Sequence, residues 1–591
     1  MAINGISFGN TILSSSVQNL KAQMADLQNQ LTSGKRATTY SGMGANEGFA
    51  IAARSQLANI AAYTDTMSKI TTNINVGNTA LQALADIGTQ LQTAANSGSQ
   101  ALNSAGQTAG QQTAVAEFSS VVGILNTQAG DRYIFSGSTI YTQPVASSDL
   151  ILNGNGAGQA GLKQVISERN QADLGADGLG RVAISSPTAT SMSVAEDASP
   201  STYGMKLSKV TSTLSGATVT NTPATVNLAS NPADGDTFNF TFLQADGSSQ
   251  TVQLTATTTA PPPAGSFAIG ATAADTATNL NAALTSAEAS SSPYGAQLTN
   301  VSSTSAAGVT VTPAQASIDL GTSNPVDGDT VSFTFNLPDG TSETVQLTAS
   351  SEVPTPAGSF AIGATPAATA ANLNAAVTSS VGTLAKTSLV AASAIKASDD
   401  FFDTPPQRVD VTPPATLATA TAAVNGTAAN TVQWYTGDAG TGSARATSTV
   451  RVDPTVTVQY GMRGNEDAIR SLVQSVAVLA AVTTSPTDPN GADQISALNA
   501  RVAQNLTATP GKQNIQDIQA DLANAQTVMK DATARQTLTQ ATMQNIVDQA
   551  ENVSTDEVAS QLLALQTDLQ ASYQTTSMLS QLSLVKFLPV G

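Results

Sequence analysis

The side chains best equipped for chemistry in this sequence are carboxylates. Asp399, Asp400 and Asp403 surround Phe401-Phe402, a cluster in which one carboxyl could act as acid and another as base. Asp234 and Asp236 flank a glycine, as do Asp327 and Asp329, a spacing that could turn oxygens toward calcium. Gly156-Ala157-Gly158-Gln159-Ala160-Gly161 matches the G-x-G-x-x-G pattern that cradles a dinucleotide pyrophosphate. Each has a plainer reading. An EF-hand loop needs further acids and a closing Glu that do not follow, and Asp-Gly between alternating segments reads first as a hairpin turn. The glycine pattern follows the strand-like Leu150-Ile151-Leu152, but Gly175–Gly180 is loop-like and Asp177 is loosely placed for a ribose-binding acid, so a glycine-rich turn is expected. The Asp399–Asp403 cluster reads as a solvated loop, with a carboxylate-dependent hydrolase as the rival. Trp434, in Val432-Gln433-Trp434-Tyr435, reads as a packed strand residue rather than a sugar platform.

Two absences narrow the chemistry further. The chain has no Cys and no His, so Ser–His and Cys–His catalysis and thiolate-held metals are excluded. The net charge of −18 argues against a nucleic-acid surface, which needs clustered Lys and Arg. The longest apolar run, Val476–Val482, is far short of the about 20 residues that span a bilayer. Met1–Ile6 carries no basic stretch before an apolar one, so the expectation is a soluble chain or export without a cleaved leader. No catalytic residue, cofactor or metal is assigned.

The ends of the chain carry the clearest order. From the N-terminus, Ile6, Leu13, Val17, Leu20, Met24, Leu27 and Leu31 settle into alternating steps of three and four, the mark of a helix with one narrow apolar seam. Val558, Leu562, Leu565, Leu569 and Leu579 repeat the pattern near the C-terminus, with Ser572 and Thr576 at the two intermediate positions and Leu582 beyond. Ser554 and Glu557 have capping-box spacing, and Val553 and Val558 that of a hydrophobic staple. Inside these ends, Ile60, Met67, Ile74 and Leu81, with Ile70, Leu84 and Leu91, predict a long helix. Ile515, Ile518, Leu522, Ala525 and Met529 predict another, and a shorter apolar helix near Ile469–Val482 stops before Pro486.

Between about 130 and 460 the period changes, and segments such as Thr237–Phe242 alternate as half-buried strands do. This stretch holds a duplication. Asn231-Pro232, Asp234–Thr237, Thr251–Ala256, Gly265–Thr272 and Asn279–Ala283 each return 93 positions later, a module of strands plus a short helix. The fold class expected is α+β and multidomain: a discontinuous antiparallel coiled-coil rod from the N- and C-terminal segments, with β-rich domains inserted in the middle. The domains are drawn at 1–40 with 553–591, at 41–204 with 401–552, at 205–310 and at 311–400.

Over Met1–Leu31 only Lys21 and Asp26 are charged, and over Val558–Leu588 only Asp568 and Lys586. A two-stranded coil in water normally carries Glu and Lys beside its seam; Gln, Ser, Thr and Asn stand there instead. Such faces can be buried against protein without desolvating charge. The ends are therefore expected to order only when other subunits cover them.

The ends and their junctions resemble the bacterial flagellin superfamily, filament flagellins and hook–filament junction proteins together. Leu31-Thr32-Ser33-Gly34-Lys35-Arg36 is similar to the family's L-x-[ST]-G-x-[KR] signature, and Arg54 to the Arg opening its first long rod helix. Gly130–Gly137, with Tyr133, Phe135 and Gly137, resembles its G-x-Y-[LI]-F-[SG]-G turn, and Met578–Val585 the junction-protein ending. In place of the family's Asp-Asp-Pro stands Tyr40-Ser41-Gly42-Met43-Gly44, a form resembling alphaproteobacterial flagellins, whose large members carry inserts similar to this duplication. The resemblance implies a non-catalytic structural subunit of the extracellular flagellum and export through the flagellar type III apparatus with an export chaperone. Its partners would be copies of itself in a helical polymer and the other axial proteins of the hook–filament junction. A hook-associated protein and a secreted adhesin with a helical stalk remain alternatives.

Overall fold

The computed structural model describes residues 4–96, 101–197, 200–243, 249–287 and 297–585. The chain opens with α1 (Asn4–Ser33), α2 (Glu47–Asn96), α3 (Ala109–Leu125), the two-residue strands β1 (Gln128–Ala129) and β2 (Arg132–Tyr133), α4 (Ser148–Asn153) and α5 (Leu162–Leu174). Strands then dominate: β3 (Val182–Ser185), β4 (Ser191–Glu196), β5 (Lys206–Ser212), β6 (Thr218–Thr222), β7 (Thr225–Leu228), β8 (Thr237–Leu243), β9 (Ser249–Thr257) and β10 (Ser266–Ala268) lead to α6 (Ala273–Ala287). The order returns as β11 (Gln297–Ser303), β12 (Val309–Thr312), β13 (Gln315–Asp319), β14 (Thr330–Asn336), β15 (Ser342–Ser350), β16 (Ser359–Ala361) and α7 (Pro366–Lys386). After α8 (Ser388–Phe402) come β17 (Gln407–Val409), β18 (Ala423–Asn425), β19 (Thr449–Asp453) and β20 (Val456–Gln459). The chain closes with α9 (Asp467–Ala481), α10 (Gly491–Asn505), α11 (Ile515–Glu551) and α12 (Thr555–Val585). Helix and strand are thus mixed, as an α+β reading requires.

Two compact units divide the chain. The first gathers residues 1–75, 449–460 and 521–591, which brings together α1, α12, the hairpin β19–β20 and parts of α2 and α11. The sequence periodicity holds here: Ile60, Met67, Ile70 and Ile74 are buried on α2, and Leu522, Ala525 and Met529 on α11. Polar groups tie the same elements. Gln536 on α11 donates to the Val452 carbonyl and accepts from the Thr64 hydroxyl, so its buried amide is satisfied at both ends.

The second unit, 76–448 with 461–520, carries the remaining helices and the sheets. Helix α9 is buried along most of its surface against α3, α8 and α10, with Asp467, Arg470, Ser471 and Gln474 forming the one polar stripe. Helix α3 starts at a reciprocal capping box between Thr108 and Gln111, and α7 at Thr365 with Pro366 in its first turn. Leu150–Leu152, strand-like by composition, is helical: the Ser147 hydroxyl accepts from the Leu150 N–H at 3.3 Å, and Gly154, at φ +72°, ends the single turn. The middle also holds more helix than its composition suggests, since α5 and α8 lie within it beside the two helices of the duplicated module.

The duplicated modules form two similar bodies. In one, the sheet order is β10-β9-β8-β11; in the other it is β16-β15-β14-β5. The alternation of β8 buries Phe238, Phe240 and Phe242 against α6, and that of β14 buries Val331, Phe333 and Phe335 against α7. A further sheet orders β3-β4-β13-β6, and β7 pairs with β12. Strands β5 and β6 precede the first copy's body in sequence, yet they pair with β14 and β13 of the second. The line drawn between residues 310 and 311 therefore does not sort the strands by partner.

Candidate assembly interface

Helices α1 and α12 pack together antiparallel. The end of one meets the start of the other through a Lys35–Asn552 bridge, with the Arg36 N–H on the Glu551 carbonyl at 2.7 Å and the Val553 N–H on the Gly34 carbonyl at 3.0 Å. Further along the pair, the Lys21 ammonium lies 5.8 Å over the Tyr573 ring.

Along α1, Val17, Leu20, Met24 and Leu27 are half-buried, as the seam requires. Leu31 is not on it: at 39% exposure it points away, and Gln30 takes the inward place. The reason is geometric, because an α-helix repeats every 3.6 residues and drifts off a strict 3.5-residue pattern by about 20° per heptad. On α12, Val558 is buried and Leu562, Leu565 and Leu569 are half-buried, with Ser572 and Thr576 continuing the same line. Ile6, Leu13, Leu579 and Leu582 have side chains outside the described residues. The Ser554 hydroxyl accepts from the Glu557 N–H at 3.4 Å, while the Glu557 carboxylate accepts from Gln561.

This pairing leaves much apolar surface uncovered. Ile12 is 58% exposed, Leu563 64%, Tyr573 44% and Met578 62%. They lie on helices whose other exposed positions are mostly Gln, Asn, Ser, Thr and Ala, with charge among the described side chains at Lys21, Asp26, Asp556, Glu557 and Asp568. A face of this composition costs little to desolvate, and its apolar side chains gain only when something covers them.

The motif residues between α1 and α12 act as a joint. Gly34 stands at φ +68°, where its N–H closes the helix on the Gln30 carbonyl at 2.8 Å, the C-terminal glycine cap. The chain then turns so that Lys35 and Arg36, both exposed, run beside Asn552 and Glu551. Arg54 on α2 reaches the same corner, donating two hydrogen bonds to the Glu551 carboxylate. Nothing in the sequence pattern marks Glu551 apart from its neighbours Asp548, Asp556 and Glu557.

In the second unit, Gly130-Asp131 form a two-residue loop between β1 and β2, with Gly130 at φ +68°. Tyr133 is half-buried and Phe135 fully buried. The Phe135 carbonyl accepts from the Tyr435 hydroxyl at 3.0 Å and the Gly464 N–H at 2.8 Å. Gly137, at φ +64°, donates to the Met462 carbonyl, and a Cβ there would meet that of Asp438 at 2.7 Å. The Gly440 N–H and Ser138 hydroxyl hold the Asp438 carboxyl below the usual range.

The side chains considered for chemistry are dispersed into structural tasks. Asp400 accepts from the buried Arg169 at 2.7 Å and from Lys396, and so belongs to an ion-pair network with Asp173. Asp399, next in line, instead opens on a cleft of about 1030 Å³ with Lys396 and Arg470. Its burial, with Lys396 opposing and Asp400 reinforcing, pushes its carboxyl up to about 6. These residues are helical, on α8, rather than a solvated loop. Asp234 and Asp327 accept from the N–H and hydroxyl of Thr258 and Ser351, and Asp236 and Asp329 from the N–H of Ala233 and Val326. Each Asp-Gly-Asp is thus a turn that opens β8 or β14, not the loop of a hairpin. The glycine pattern lies in the link between α4 and α5, where the Asn155 side chain accepts from the Ala157 and Gln159 N–H groups. Trp434 is buried, its indole donating to the Phe402 carbonyl at 3.0 Å, but it lies outside any strand.

No protein-family model matches the chain, and no curated protein is found similar to it.

Proposed function

We propose that this chain is a flagellin-type structural subunit of the bacterial flagellum, working by coupled folding and association rather than catalysis. The observation that carries the reading is the α1–α12 pair: a seam buried to half depth, with Ile12, Leu563, Tyr573 and Met578 exposed on faces almost free of charge. A single pair of helices with so thin a contact gains little against the entropy of ordering. Copies arranged around a common axis supply the missing cover, so the paired ends form the coiled-coil inner wall of a helical homopolymer. The joint at Gly34–Arg36 and Arg54 sets the angle at which the ends enter that wall. The duplicated bodies stand on the extracellular face of the polymer, and the subunits leave the cell unfolded through the type III export apparatus, accompanied by its chaperone.

Met578–Val585 favours a second reading, a hook–filament junction protein. Gene deletion separates the two. Loss of a filament subunit abolishes filaments altogether, whereas loss of the junction protein leaves bare hooks and sheds filament protein into the medium. Seeded assembly viewed by electron microscopy tests the shared mechanism. Full-length protein elongates seeds, and chains lacking 1–40 or 553–591 do not; elongation by the truncated chains overturns the proposal.

A further inference from the structure

The two copies of the duplicated module complete each other. The fourth strand of each body comes from the other copy: β5, which opens the first, pairs with β14 of the second, and β11, which opens the second, pairs with β8 of the first. The two pairings match in detail. Thr211 faces Ser332 as Ser302 faces Asn239, and the registers shift at equivalent points, passing over Ser208 in one strand and Thr299 in the other. The Thr213 hydroxyl accepts from the Thr330 N–H at 2.8 Å, and that of Thr304 from the Thr237 N–H at 2.9 Å. Strands β5 and β11 are one element seen twice, with partners exchanged.

The exchange turns on two identical links, Thr222-Pro223-Ala224 between β6 and β7 and Thr312-Pro313-Ala314 between β12 and β13. Thr312 pairs with Thr225, and Thr222 with Gln315. A two-residue hairpin at each link would instead pair Thr222 with Thr225 and Thr312 with Gln315. Each copy therefore makes with the other the contacts that it would otherwise make with itself. Proline accounts for the choice. Two-residue hairpins of type I′ or II′ need positive φ at the first loop position, and proline is fixed near −65°. With Pro223 and Pro313 there, β6 and β12 cannot fold back and run on into the opposite body.

We infer that the duplicated module is a reciprocal strand exchange between its two copies, imposed by Pro223 and Pro313, so that neither copy closes alone and the first body, running from β7 to β12, is a continuous segment held between β6 and β13 of the second. The links are hinges of the kind that decide domain swapping, here acting inside one chain. The test uses the full chain, whose lack of cysteine makes introduced pairs specific. Thr211→Cys with Ser332→Cys reports the exchanged arrangement, and Thr211→Cys with Asn239→Cys the self-closed one. In the natural background only the first pair cross-links, within one chain, as read by digestion and mass spectrometry. Replacing both links by Asn-Gly (Pro223→Asn, Ala224→Gly, Pro313→Asn, Ala314→Gly) moves the cross-link to the second pair. Cross-linking of the second pair in the natural background, or cross-links between chains, overturns the exchange. Persistence of the first pair alone in a folded Asn-Gly variant overturns the assignment to the prolines.

Discussion

Arg54 and Glu551, 497 positions apart, are joined by two hydrogen bonds, Nε to Oε1 at 2.6 Å and Nη2 to Oε2 at 2.7 Å. Glu551 is buried while Arg54 is half-exposed. The pair thus fixes the corner where α2, the end of α11 and the joint after α1 meet.

Removing the guanidinium leaves a buried carboxylate without its partner. Arg54→Ala is expected to lower stability by about 1–2 kcal/mol, a value reduced for the solvent around Arg54. The hydrogen bond from Arg54 holds the Glu551 carboxyl below its ordinary value. Its contribution is therefore complete above the unfolded-state pKa, near 4.5, and fades as pH falls through the lower folded value. Thermal melts of the natural chain and of Glu551→Gln should converge in acid. A gap that persists unchanged at pH 3 would exclude this pair as the cause.

Asp399 titrates in the opposite sense. Its carboxyl stands at about 6 against an ordinary 3.8, so the folded state disfavours the anion and gains stability on acidification between those values. Asp399→Asn is expected to raise stability at pH 7 by about 1–2 kcal/mol, discounted because the side chain opens on a cleft, and to have no effect near pH 3. Melting at the two pH values checks both. Destabilisation at pH 7 would mean that the anion has a partner worth more than its burial costs.

Much of this organisation is legible in the sequence, and the exceptions share a cause. Repetition at three and four residues marks α1, α2, α11 and α12 because burial on a helix follows that period, and the Phe238–Phe240–Phe242 alternation marks a strand for the same reason. Leu31 misled because the drift of a real helix accumulates over two heptads. Leu150–Leu152 misled because three apolar residues fit a strand as well as one helical turn, and the caps at Ser147 and Gly154 decide. Partner choice is a different matter. Nothing local tells β5 that its edge is β14 rather than β8, or Arg54 that its acid is Glu551; only the Pro223 and Pro313 links carry a sequence trace of it.

Gly34 adopts φ +68°, a conformation that costs an L side chain about 1–2 kcal/mol. Since it closes α1 and starts the joint, Gly34→Ala is expected to weaken the assembled ends rather than the free subunit. Polymers of the variant should dissociate at lower temperature, while the main melting transition of the monomer stays put. Loss of monomer stability instead would place the joint inside the independently folded part.

Leu563 is 64% exposed on α12. If neighbouring subunits cover it, Leu563→Gln forfeits about 1.5–3 kcal/mol per subunit and raises the critical concentration for polymerisation roughly tenfold or more. Sedimentation of polymer from monomer at graded concentrations measures this. An unchanged critical concentration would remove Leu563 from the interface.

Hydrogen exchange read by mass spectrometry, on monomer and polymer of the unmodified protein, tests coupled folding most directly. Peptides covering residues 12–31 and 555–578 should exchange within seconds in the monomer and become protected in the polymer, while those from α9 are protected in both. Equal, strong protection of α1 and α12 in the free monomer would contradict an end-to-end seam that depends on neighbouring copies.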